Sequence, residues 1–260
     1  CCSSAASDVY KRQKLYKITK EEDIHKAINK ALDFITNRMV SSDTVYSCFN
    51  EEPCFPGYLD DYALLGSVLI DYLSIEWNQN YYDTCLRVCD DLMNNFEDKE
   101  KGGFFFTSDQ HEQLFYRPKS ISDDSIPSGL VYATDTLLYM GFISGNQKYI
   151  EAAHGALDFI YKSIDDNLTS SVSAINLLRE DNLEKEIIIV RTNKKTWEKI
   201  TDSEEYYGRC IIFIENELQN LPDYIAYKES KGEFTSYHCK GMTCQTPKLS
   251  FEDFIDTLKT

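Results

Sequence analysis

The sequence predicts a mainly α-helical chain: an array of αα-hairpins carrying a short β-hairpin insertion, followed by a small β-containing C-terminal segment. Three observations carry this. Apolar residues recur at three-and-four spacing in successive paired segments, the signature of amphipathic helices. Ala31-Leu32-Asp33-Phe34-Ile35 returns unchanged as Ala156-Leu157-Asp158-Phe159-Ile160, with a weaker copy around Asp90. From Glu186 onward the pattern changes to a β-branched run. The period between the copies is roughly 60 residues, room for a helix, a loop, a return helix and a connection, and such arrays close as toroids or stack as solenoids.

Taken in order, Thr19 and Glu22 form a capping-box pattern ahead of Ile24, Ala27, Ile28, Ala31, Leu32 and Ile35, predicting a helix over 20–39. A second helix, 59–77, is almost continuously apolar in its middle and reads as an inner helix. A third covers 81–96. Gly102-Gly103 then breaks the chain, and Phe104–Thr107 reads as a short strand pairing with Leu114–Tyr116. Pro127 opens a helix to Ile143, Gly145-Asn146 turns the chain, and helices follow to Ser163 and over 169–179. Ile187–Val190 predicts a buried strand, while Cys210–Ile214 is apolar but too short to assign as strand or helix end. Tyr224–Tyr227 and Phe234–His238 alternate as a hairpin around Lys231-Gly232 would, and Ser250 caps a last helix, Phe251–Leu258.

Composition narrows the function. The chain has 260 residues, 42% hydrophobic and 27% charged, with a formal net charge of −16. That balance disfavours a phosphate-backbone partner, so the sequence predicts no nucleic-acid binding, and no apolar run approaches a membrane span. Residues 1–13, CCSSAASDVYKRQ, resemble a translated adapter and are expected to add nothing to the fold. Without Cys1 and Cys2, seven cysteines remain. An odd count without a secretory signal predicts a reducing compartment such as the cytoplasm. Cys85 and Cys89 share a helix face and read as small buried hydrophobes. Cys239 and Cys244 leave three readings open: a disulfide, half a metal site, or a packed turn. Histidines are scarce and unclustered, and there is no HExxH, CxxC, GxSxG or phosphate-cradling glycine loop, so neither a metal nor a cofactor is expected.

Two acidic segments open predicted inner helices: Gly57–Ala63 (GYLDDYA) and Asp123–Gly129 (DDSIPSG). Carboxylates there can cap first-turn amides, since helix N-termini favour negative charge. They can equally face each other across a pocket and perform acid/base work on a glycosidic bond or sugar carbon. On the second reading Asp61 and Asp123 are the catalytic candidates, and Asp60, Tyr62, Arg117, Lys119 and Ser128 bind the ligand. Arg117 and Lys119 would orient an anionic sugar or simply balance charge.

These stretches, together with Gly102–Thr107 (GGFFFT), Arg117–Lys119 (RPK), Glu186–Val190 (EIIIV) and Tyr237–Pro247 (YHCKGMTCQTP), resemble the spermatogenesis-associated protein 20 family and its bacterial thioredoxin-domain-containing relatives. The resemblance implies a six-hairpin, glycosidase-like toroid preceded by a thioredoxin-like domain. On it, this chain is a C-terminal fragment with the later hairpins only: a tail at 1–13, a toroid portion at 14–183 and an α+β segment at 184–260. It implies a carbohydrate-active or sugar-binding domain, inactive as a fragment; the alternative is a non-catalytic scaffold serving the thioredoxin-like domain in redox regulation. Where relatives continue Pro-Ser-Gly with Asn-Ser, this chain has Leu130-Val131, and no histidine matches the two-histidine chemistry of sugar epimerases.

Overall fold

A computed structural model describes residues 1–112, 115–164, 168–182, 185–203, 206 and 209–259. The chain begins with α1 (Cys2–Thr19), which packs along α3 (Leu59–Leu73) and buries Cys2, Ala6, Val9 and Gln13 completely. The expectation that residues 1–13 add nothing to the fold is therefore wrong. The stretch has small residues on one side, and these let the helix lie close against its neighbour. The predicted Thr19 cap also fails, because α1 runs through Thr19. Lys20 ends α1 in the left-handed region (φ 57°), and Glu21 is the N-cap of α2 (Glu22–Phe34), which a π turn extends through Met39.

Helices then alternate between two layers. α3 and α5 (Gly129–Ser144) are buried on nearly every side, as a long apolar run dictates. α4 (Gln79–Asp91) and α6 (Gln147–Ser163) bury one face only. With α1 and α7 (Val172–Asn182), α3 and α5 form an inner row, and α2, α4 and α6 back it from outside. Helix ends follow their capping chemistry more than their hydrophobic pattern. α3 stops at Leu73 rather than 77 because Asn78 caps α4, its side chain accepting the Tyr81 N–H. α5 starts at Gly129 rather than Pro127 because Ser128 is its N-cap.

The sequence repeat has a structural meaning in the outer layer. Each copy of the pentapeptide turns its Leu and Ile inward, at Leu32 and Ile35 and again at Leu157 and Ile160. The acidic position faces sideways: the Tyr81 hydroxyl donates to Asp33 and the Tyr149 hydroxyl to Asp90, both at 2.7 Å. One outer helix is thus tied to the next by the same Tyr–Asp bond twice.

The inserted β-hairpin lies elsewhere than predicted. It is β1 (Tyr46–Asn50) and β2 (Glu52–Pro56), antiparallel, between α2 and α3. Phe104 instead makes a single bridge back to Glu97, and Phe105 donates its N–H to Phe96 O, so this aromatic run packs on the end of α4. Its expected partner strand falls partly outside the described residues at Leu114, and Phe115 and Tyr116 are not in a strand.

At the C-terminal end, β3 (Glu186–Thr192) pairs in parallel with β4 (Cys210–Glu215) across α8 (Lys194–Thr201), and antiparallel with β5 (Phe234–Lys240). β6 (Thr243–Cys244) completes the order β4-β3-β5-β6. Ile187 and Ile189 face the helices, whereas Ile188 and Val190 join Trp197, Phe213 and Phe254 in a second core under α8 and α10 (Phe251–Leu258). Burial on both faces explains the unbroken apolar run. The predicted terminal hairpin is not formed. Asp223–Ala226 is a single helical turn, α9, and β5 takes β3 as its partner in full register from Glu186–Lys240 to Thr192–Phe234. Cys239 and Cys244, opposite each other on β5 and β6, form a disulfide.

Candidate functional site

The acidic start of α3 is largely consumed by capping. Asp61 is the third residue of the helix: one carboxylate oxygen accepts the Tyr58 N–H (3.0 Å), and the other accepts the Ser3 N–H at the start of α1 (2.9 Å). It is 2% exposed and does not line the cavity described below. Tyr62 is equally buried, its hydroxyl accepting the Val45 N–H and bonding the Thr44 hydroxyl. Asp60 turns the other way and accepts the Gly129 N–H. Glycine is required there, since a Cβ at 129 would lie 2.0 Å from Asp60 Oδ1. Burial, and then the neighbouring Asp61 charge, push the Asp60 carboxyl above its usual range.

The second acidic loop meets the first at that turn. Asp123 accepts the Ser128 N–H (3.0 Å), the Ser173 N–H (2.9 Å) and the Ser173 hydroxyl. Burial works to raise its carboxyl, but these donors outweigh it and hold Asp123 below the usual range. The Ser128 hydroxyl accepts the Val131 N–H and donates to Ser120 O. Asp60 and Asp123 therefore occupy successive amides of one turn, and it is Asp60, not Asp61, that reaches the second loop.

Arg117 and Lys119 belong to a different place. Arg117 donates to Thr107 O and Asn95 O and stacks over Phe105 (4.2 Å to the ring centre). Lys119 pairs with Asp98 at 2.6 Å, donates to Gly102 O and lies over the Phe159 ring. Both pin the loop between α4 and α5, and neither lines the central cavity. Their charges are spent on carbonyls, one carboxylate and aromatic faces.

That cavity, of about 620 Å³, lies between the four inner helices and is partly open to solvent. Tyr10, Lys14 and Lys17 reach it from α1, Ser67 and Asp71 from α3, Tyr132, Asp135 and Tyr139 from α5, and Ser173, Asn176 and Glu180 from α7. Asp123 lies on its wall, and Tyr206, Arg209 and Cys210 line it where the β-containing segment meets the helices. The Tyr206 hydroxyl fixes that junction by donating to Ser74 O just past α3.

Two carboxylates stand out on adjoining helices of this wall. Asp71 is paired with Lys17 (3.5 Å) and Lys14 (3.6 Å). Burial would raise its carboxyl, but Lys17 and then Lys14 overcome that and hold it below the usual range. Asp135 pairs with Lys185, which also bonds Glu180 at 3.4 Å and lies over the Tyr139 ring. Here burial wins: the Asp135 carboxyl sits above its usual range, with Glu180 and Asp71 adding to the rise. The Lys185 ammonium is opposed by burial yet also rises, because Asp135 and then Glu180 favour its charged form. The Asp71 and Asp135 side chains keep 24% and 31% exposure, so a ligand in the cavity can reach both. One carboxylate held ionised near another shifted upward is an arrangement that can divide base and acid roles.

The sequence held a signal for these residues. In α5, Tyr132, Asp135 and Tyr139 fall at i, i+3 and i+7, and in α3, Ser67 and Asp71 are four apart, each on an otherwise apolar helix. A charged residue beyond the first turn of such a helix must face a partner or a cavity.

No known family profile and no curated protein sequence matches this chain. Solved structures do. An α-mannanase of glycoside hydrolase family 76 from Bacteroides thetaiotaomicron superposes with a TM-score of 0.52 at 14% identity, over 70% of this chain and 52% of that one. A cellobiose 2-epimerase from Spirochaeta thermophila superposes with a TM-score of 0.49 at 13% identity, over 62% of this chain and 43% of that one. The chain spans about half the length of these structures. The likeness establishes the fold: a partial αα-toroid of the six-hairpin glycosidase-like kind, with small β elements.

Proposed function

We propose that this chain is a carbohydrate-binding portion of an αα-toroid, and that the ligand sits in the central cavity between the inner helices. The observation that carries the reading is the wall formed by Asp71 and Asp135, open to the cavity and flanked by Tyr132 and Tyr139. Carboxylates that accept hydroxyl donors, ammonium groups that donate, and phenol rings suit a polyhydroxylated ligand. The fold is shared with a mannanase, which supports the ligand class by analogy only. Asp123 lies on the wall of the same cavity but is held by Ser128 and Ser173, and in an active parent Asp71 would serve as base and Asp135 as acid. This reading places the base and acid roles on Asp71 and Asp135 in place of Asp61 and Asp123, the candidates the sequence offered.

The finer reading, that the chain is the C-terminal part of a thioredoxin-domain-containing protein with its toroid at 14–183 and an α+β segment at 184–260, rests on the motifs quoted above. Helix α1 extends that toroid portion to residue 2. Titration calorimetry against a panel of manno- and gluco-oligosaccharides tests the proposal. Binding of at least one sugar is expected, weakened about tenfold in Tyr132→Ala by loss of the ring surface. Failure of every sugar to bind a folded chain would overturn it.

A further inference from the structure

We propose that Cys48 and Cys54 form a cross-strand dithiol that closes reversibly to a disulfide by exchange with a low-molecular-weight disulfide such as oxidised glutathione. The site is separate from the cavity and stands whether or not a sugar binds there.

Cys48 on β1 and Cys54 on β2 are directly opposite each other in the antiparallel register, and both thiols are free. Directly paired residues project from the same face, with Cα atoms about 4.5–5.5 Å apart. That separation lies within the range a disulfide spans. Both side chains are half-buried, so a small oxidant can reach them. The chain offers its own precedent: Cys239 and Cys244, also directly paired on antiparallel strands, are already joined. Of the other free thiols, Cys1 is exposed at the start of the chain, Cys2, Cys85 and Cys89 are fully buried, and burial pushes the Cys210 thiol up to about 12.

The hairpin would gain from a covalent tie. Two-stranded hairpins are marginal on their own, and this one holds Glu51 and Phe55 at φ of 63° and 60°, where non-glycine residues are strained. Its base is joined to the start of α3 by the Gly57 N–H donating to Val45 O at 2.7 Å. In the exchange, one protein thiolate attacks the glutathione disulfide and releases one glutathione thiolate. The second protein thiolate then attacks the protein sulfur of the mixed disulfide and releases the other. Two protein thiols are oxidised and one glutathione disulfide is reduced to two thiols.

The test uses the full chain equilibrated with reduced and oxidised glutathione, trapped with iodoacetamide without reduction, digested and weighed. A Cys48–Cys54 peptide two hydrogens lighter is expected, with alkylation of both thiols falling about tenfold as the buffer becomes oxidising. One equivalent of phenylarsine oxide, which bridges paired thiols, should protect both. Cys48→Ser and Cys54→Ser should each leave the remaining thiol as a single glutathione adduct, and Cys239→Ser should leave the pair unaffected. Full alkylation of both thiols in a buffer that keeps Cys239–Cys244 closed would overturn the proposal, as would separate glutathione adducts on both Cys48 and Cys54 of the unmutated chain.

Discussion

The acidic residues at the starts of α3 and α5 and those further along the same two helices, Asp71 in the last turn of α3 and Asp135 midway along α5, have opposite fates. At the starts, Asp61, Asp60 and Asp123 are taken up by amides: Tyr58 and Ser3, Gly129, and Ser128 with Ser173. Along the helices, Asp71 and Asp135 find no free amides, since a helix interior bonds its own. They are met by lysines from other elements, Lys14 and Lys17 of α1 and Lys185 just before β3, and they stay open to the cavity. A carboxylate at a helix N-terminus is thus committed to structure, whereas one beyond the first turn must be justified by what it faces.

The largest test of that contrast removes residues 1–13. Helix α1 serves both regions, covering Asp61 at its start and supplying Lys14 and Lys17 at its end. Loss of the buried Cys2, Ala6 and Val9 should cost about 4 kcal/mol or more in urea unfolding; an unchanged midpoint would detach α1 from both regions. Next comes Lys185→Met, which strands Asp135 on an acidic wall and should cost about 3 kcal/mol at pH 7. Without the ammonium, the folded-state pKa of Asp135 rises further above its ordinary 3.8. A carboxyl raised by folding binds its proton more tightly in the folded chain, so stability recovers as pH falls. The loss should therefore shrink between pH 7 and 5, and a pH-independent loss would mean that Asp135 does not feel Lys185. Smallest is Asp61→Ala, which unpairs two N–H groups for about 2 kcal/mol by the same assay. Sugar affinity should be unchanged, and a loss of binding without a loss of stability would move the ligand to the loops.

How far the sequence spoke depends on whether a feature is local. The hairpin pattern, the Ser250 cap and the Ile187–Val190 strand were legible because periodicity and capping chemistry are written within one turn or strand. The acidic loops were legible as helix starts, but the side on which each carboxylate falls was not: Asp60 and Asp61 are adjacent, and only the neighbouring helices decide which meets Gly129 and which meets Ser3. The partners of Arg117 and Lys119 were hidden for the same reason, since Asn95, Asp98 and Gly102 lie on the far side of a loop. The partner of β5 was likewise hidden, because strand pairing with β3 spans about forty intervening residues that no local pattern encodes. Asp71 and Asp135 were readable in principle but were passed over for the loops.

The central claim, that the cavity wall and not the acidic loops takes the ligand, is tested most directly by titrating the tightest-binding oligosaccharide into Asp71→Asn, Asp135→Asn and Asp61→Asn side by side. The account predicts a loss of about tenfold or more in affinity for the first two and less than about twofold for the third. Undiminished binding in the first two with a tenfold loss in Asp61→Asn would contradict it.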